Sequence, residues 1–127
     1  MKKQLEAVKE FHTAFEVGYS ETPKSDLGEA KHLLRYNLMK EENEEYLEAV
    51  KNNDLIEIAD ALGDMLYILC GTIIEHGLQD KIEAVFNEIQ RSNMSKLDVN
   101  GKPIYREDGK VMKGANYFKP DFSSILE

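Results

Sequence analysis

The 127-residue chain is 42% hydrophobic and 31% charged, and its 24 acids against 16 lysines and arginines leave a net charge of −8. That length suits one domain, residues 1–127, with no room for a second, and the composition is that of a soluble globular protein. The apolar runs fall short of the roughly 20 residues a membrane span requires, and the acidity excludes nonspecific attachment to a nucleic-acid polymer.

In chain order, MKKQLEAVKEF meets charged residues too early for a secretory leader, so a cytoplasmic protein is expected. Leu5, Val8, Phe11 and Phe15 recur at three- and four-residue steps and predict an amphipathic helix from about residue 3 to 17. GYSETPKSD breaks it. A second helix is expected to open at Asp26, with Glu29 as the other half of a capping box, and to run to about Lys51. Its stripe passes through Leu27, Ala30, Leu34 and Leu38 and, at the same spacing, reaches Glu42, Glu45 and Ala49. After KNND, Asp54 and Glu57 repeat the capping pattern and open a third helix that continues to the His76-Gly77 stop, apolar on most of its circumference. The single cysteine, Cys70, lies there in MLYILCGTII and is expected to pack as a small hydrophobe, which leaves no disulfide or redox chemistry.

Asp80 and Glu83 suggest a fourth start, with Ile82, Val85, Phe86 and Ile89 as the buried stripe of a helix ending near Arg91. Beyond it, Asn100-Gly101 and Asp108-Gly109 are turn signals, and PIYR and KVMK flank the second of them, which predicts a small hairpin. The expected fold is all-α, a four-helix bundle with a small C-terminal β-hairpin.

Charge is spread unevenly over these elements. Residues 40–64 hold nine acids and two lysines, whereas residues 91–127 hold seven bases and five acids. An acidic centre and a mildly basic tail suit a cation and a polyanion bound side by side. Glu41, Glu42, Glu44, Glu45 and Glu48 lie at spacings where like charges repel on a helix, so they do not serve its stability. Glu42 and Glu45 fall on the stripe, and on the third helix Glu57, Asp60 and Asp64 share a face. The short link makes the two helices antiparallel neighbours, so the acids of both converge. Ionised carboxylates away from water need a counter-charge, and a hard divalent cation, Mg²⁺, supplies it through oxygen ligands. Glu44 and Glu48 fall off the stripe and are expected in solvent without a role. Taken alone, Glu57 could be only a capping residue, and Asp60 and Asp64 hydrogen-bonded core acids. One Glu29-His32 pair does not build a di-iron site, so His12, His32 and His76 are not expected to bind metal.

EENEE followed by EIADALGD resembles the all-α nucleoside triphosphate pyrophosphohydrolase superfamily, the MazG-like group that includes dimeric dUTPases and phosphoribosyl-ATP pyrophosphohydrolase. Its motif is ExxE, a spacer, then ExxD, matched by Glu42, Glu45, Glu57 and Asp60. ADALGDMLYILCGTIIEHG and the tail RSNMSKLDVNGKPIYREDGKVMKGANYFKPD extend the likeness over nearly the whole chain.

The resemblance implies Mg²⁺, with Mn²⁺ as a substitute, held by those four residues. Asp64 competes with Asp60 for the ligand role or shares it. The implied reaction is cleavage of a (d)NTP to (d)NMP and pyrophosphate, a house-cleaning activity, or attack on a related substrate such as phosphoribosyl-ATP. Glu41, the doubled glutamate of the motif, is cast as the water-activating base. Asn93, Lys96, Lys113 and Asn116 are expected to contact the nucleotide through amide and ammonium groups. Relatives form dimers or tetramers, so a homodimer or homotetramer is expected. The competing reading, a noncatalytic acidic regulator that binds a partner through EENEE, predicts exposed glutamates and no response to metal.

Overall fold

Helix dominates this computed structural model, which describes all 127 residues, and strand is nearly absent. The chain divides into two units, Met1–Asp80 and Lys81–Glu127. No helix is long and apolar enough to cross a membrane.

The first unit contains α1 (Lys2–Ala14), α2 (Glu29–Lys51) and α3 (Leu55–Glu75), with α3 packed against both α1 and α2. Its core is built from Leu5, Val8, Ala49, Ala61, Cys70, Ile73 and Ile74, all nearly sealed from solvent. Burial raises the Cys70 thiol above its ordinary pKa, as for a cysteine that packs rather than reacts.

The turn between α2 and α3 follows directly from its sequence. Asn53 adopts φ +49°, a left-handed conformation asparagine tolerates, and the Asp54 amide bonds the Ala49 carbonyl at 3.1 Å. Asp54 then caps α3, its Oδ1 accepting from the Glu57 amide at 3.1 Å. At the far end, Gly77 takes φ +68° directly after the His76 cap, as the His-Gly signal predicts.

Other starts differ from expectation. Asp26 does not cap α2: its carboxylate accepts from the Gly28 amide at 2.9 Å, closing a local turn, and Gly28 at φ +92° is the N-cap residue. Lys81, not Asp80, precedes α4 (Ile82–Met94), and no side chain caps that helix. α1 ends at Ala14 because Glu16 turns left-handed at φ +57°, and its buried face runs through Leu5, Val8 and His12. Phe11 and Phe15, expected on that face, are 40% and 67% exposed, and Phe11 meets the Tyr67 ring edge-on.

The second unit joins α4 to the tail and a short α5 (Ser123–Leu126). Of the expected stripe, Ile82 and Val85 are half-buried, whereas Phe86 is 65% and Ile89 39% exposed. The tail covers the side bearing Glu88 and Ser92. The buried Ser92 hydroxyl donates to the Phe118 carbonyl at 2.8 Å, the Asp121 amide donates to Glu88 at 3.1 Å, and Arg91 lies over the Phe118 ring. The expected hairpin reduces to one antiparallel bridge, Tyr105 to Val111. The Gly114 amide, which would continue the ladder to Lys102, turns away to the Lys96 carbonyl at 2.8 Å.

Candidate metal centre

The face that α2 turns to α3 mixes polar and apolar residues. Arg35 and Ala49 are its buried residues, and Glu42, half-buried, stands midway at seven-residue steps from each. This face is rotated from the predicted stripe in its first half: Ala30 and Leu34 are exposed where Arg35 is buried. Arg35 can be buried because Glu75, only 3% exposed, forms an ion pair with its Nε at 3.1 Å, while Lys31 reaches the other oxygen of Glu75 at 2.6 Å. Burial lowers the Arg35 pKa and the Glu75 charge partly restores it.

Around Glu42 the carboxylates crowd. One oxygen from each of Glu42, Glu45 and Asp64 lies within 4.8 Å of the others, a group that can hold a metal ion. Glu42 Oε2 is buried without a hydrogen-bond partner. The Glu42 carboxyl is pushed up to about 7, first by burial, then by its hydrogen bond with Glu45 and the charges of Glu45, Asp64 and Asp60. A carboxylate arranged only for the stability of the apo fold would not be left in this position. Next to it, a cleft of about 290 Å³ is lined by Glu45, Glu48, Ala49, Asn52, Glu57, Asp60 and Ala61.

Glu42, Glu45, Glu57, Asp60 and Asp64 are therefore gathered along one α2–α3 seam, with Glu45 common to the close group and the cleft. Asp64, rather than Asp60, completes the close group, while Asp60 faces the cleft and acts on Glu42 through its charge. The Glu57 amide serves the Asp54 cap, and its side chain lines the cleft, so it combines both readings. Glu41 is exposed and belongs to neither the close group nor the cleft wall. Glu48, expected in solvent without a role, is exposed and lines the cleft together with Asn52, which was not singled out; they follow Glu45 at i+3 and i+7 and so share its side of the helix.

In the second unit, the Gly114–Lys96 backbone bond brings the Asn93–Lys96 turn beside the segment bearing Lys113. Lys113 Nζ lies 4.9 Å from the centroid of the Tyr117 ring, and Asn116 is exposed. The histidines have other work. His12 bonds the Gly18 carbonyl at 2.8 Å, His32 Nε2 accepts from the Leu27 amide at 2.8 Å, and His76 Nδ1 donates to the Lys24 carbonyl at 2.7 Å.

A helical hairpin with acids of both helices turned into one seam, inside an all-α chain, is the architecture of the MazG-like nucleotide pyrophosphohydrolases. Within that class the chain belongs to the phosphoribosyl-ATP pyrophosphohydrolase family, whose model matches residues 8–93. The match runs from the middle of α1 through nearly all of α4 and contains every acid of the seam. No individual curated protein matches the chain. Membership makes it a pyrophosphohydrolase, a hydrolase acting on nucleotide phosphoanhydride bonds.

Proposed function

We propose that the protein is a Mg²⁺-dependent nucleotide pyrophosphohydrolase that cleaves a (d)NTP to (d)NMP and pyrophosphate. The observation that carries this reading is the Glu42–Glu45–Asp64 group, three ligand oxygens within 4.8 Å around a buried, unpartnered Glu42 oxygen. That donor set suits a hard divalent cation: all ligands are carboxylate oxygens, and their mutual repulsion is what a cation removes. Glu42, Glu45 and Asp64 would hold the ion, with Asp60 and Glu57 able to add ligands from the cleft. When bound, Mg²⁺, or Mn²⁺ in its place, supplies charge neutralisation at the phosphates and lowers the pKa of a bound water.

The chain's own residues do the rest. The cleft at the α2–α3 turn has the volume for a phosphate chain and bears carboxylates that orient a water. Glu41, by its adjacency to Glu42, is assigned the water-activating role. Asn93, Lys96, Lys113 and Asn116 are assigned to the nucleotide, their ammonium groups to phosphate oxygens and their amides to base edges.

We assign the active form as a homodimer or homotetramer. Leu55, Leu62, Leu66 and Leu69 repeat at seven-, four- and three-residue steps on α3, all largely exposed, and Leu33, Tyr36, Leu47 and Val50 make a similar exposed row on α2. Apolar rows at coiled-coil spacing on both helices suit a second copy.

The family match favours phosphoribosyl-ATP as the second candidate substrate. A panel of nucleoside triphosphates, deoxynucleoside triphosphates and phosphoribosyl-ATP, with Mg²⁺ and with chelator, followed for monophosphate and pyrophosphate, separates the two. Turnover confined to phosphoribosyl-ATP would move the assignment there. Folded protein that turns over nothing would leave the acidic-regulator reading in its place.

A further inference from the structure

The oxygens of the close group come from two helices, Glu42 and Glu45 from α2 and Asp64 from α3, so their convergence depends on how far one helix has slid along the other. A one-residue slip is about 1.5 Å. Apolar contacts are non-directional, and the seam here contains Ala49, Ala61 and half-buried Leu38 and Met39. The short turn at Asn53–Asp54 limits the slip from one end of the hairpin, and one directional contact set beyond Glu42 limits it from the other. Two turns before Glu42, Arg35 Nη2 donates to the Ile68 carbonyl at 2.8 Å and Nε to Thr72 Oγ1 at 3.1 Å, and Nε also pairs with Glu75 at 3.1 Å. Ile68 lies one turn after Asp64.

Gly71 is the floor of this contact. A Cβ there would stand 2.5 Å from Arg35 Nη2 and 2.8 Å from His12 Nε2. The planar guanidinium, with donors at fixed angles, hydrogen-bonds Ile68 and Thr72 on successive turns of α3 and pairs by charge with Glu75 one turn further on, a combination that ties it to one axial position.

We infer that the Arg35 clamp onto Ile68, Thr72 and Glu75 sets the α2–α3 register that brings Glu42 to Asp64, making Arg35 a positioning residue for the metal centre. The inference rests on the metal reading proposed above. A buried ion pair is weak evidence for stability, and replacing both partners by neutral residues is often tolerated, so register and stability can be separated.

The test compares wild type with Arg35→Met/Glu75→Gln and with Gly71→Ala. The first removes both buried charges. The second removes none, favours helix by its own propensity, and displaces the guanidinium by its added methyl group. Mn²⁺ affinity is read from the electron paramagnetic resonance of the free ion, beside helical content and thermal midpoint, and the Mg²⁺ concentration for half-maximal turnover is compared with the rate at saturating Mg²⁺. Both variants should stay helical, bind Mn²⁺ at least tenfold more weakly, and need correspondingly more Mg²⁺, with a smaller change in the saturated rate. Arg35→Lys, which keeps the charge but not the fork, should fall between them and wild type. Mn²⁺ affinity within twofold of wild type in the folded variants would overturn the clamp while leaving the metal reading intact. No Mn²⁺ uptake by wild type would overturn the metal reading and the clamp together.

Discussion

Raising the proton concentration should weaken metal binding by an amount that Glu42 sets. Its carboxyl in the metal-free protein is pushed up to about 7 by burial, the Glu45 hydrogen bond and the surrounding acids. A ligand carboxylate must lose its proton to coordinate, so the apparent affinity scales with the deprotonated fraction. With a pKa near 7, binding at pH 8 is weakened by only about 1.1-fold, and at pH 6 by about 11-fold, which predicts roughly tenfold loss between the two.

The same shift fixes the sign for stability. Because the folded value lies above the ordinary 4.5, the native state binds the extra proton. The stabilisation is therefore fully present below about 4.5 and is lost as pH rises through about 7. The step from 4.5 to about 7 corresponds to at most about 3.4 kcal/mol, and the partial access of water to the cluster brings the expected effect to about 1–2 kcal/mol. Calorimetric titration with Mg²⁺ at pH 6, 7 and 8, in buffers of different ionisation enthalpy, reads both affinity and proton release. An affinity constant across that range with no proton released would refute the reasoning, since Glu42 would then be either already ionised or uninvolved.

Three further outcomes follow from named contacts. Glu45→Gln should leave the helical content intact and abolish the rise in thermal midpoint on adding Mg²⁺, because a ligand that binds only the native state stabilises it and the variant has lost a shared ligand. Asp54→Ala should lower stability by about 1 kcal/mol in chemical denaturation, the usual cost of losing an N-cap acceptor, here the one bonded to the Glu57 amide. Gly77→Ala should cost more, over about 2 kcal/mol, because a left-handed φ of +68° is combined with a Cβ position 2.0 Å from the Thr22 carbonyl oxygen.

What the sequence made legible was local chemistry with one dominant partner. Asp54 and Glu57 read as a cap, and Asp54 does accept from the Glu57 amide. His76-Gly77 read as a stop, and α3 ends there. The convergence of acids from α2 and α3 followed from the short turn between them. Asp26 and Asp80 carried the same capping signal and do not cap: the Asp26 carboxylate closes a local turn onto the Gly28 amide instead, and α4 starts after Lys81 with no side-chain cap. The face of α2 was misjudged where it buries Arg35, since only a partner 40 residues away, Glu75, makes that burial tolerable. The same blindness hid the tail's packing on Ser92, the exposure of Phe86, and the Gly114–Lys96 bond that stops the hairpin at one bridge.

The claim on which the account depends is that acids of α2 and α3 share one divalent ion. Anomalous diffraction from crystals grown with Mn²⁺ addresses it directly. The account predicts a peak within about 2.0–2.4 Å of oxygens from Glu42, Glu45 and Asp64. Well-ordered carboxylates with no peak among them, or Mn²⁺ held elsewhere on the chain, would contradict it.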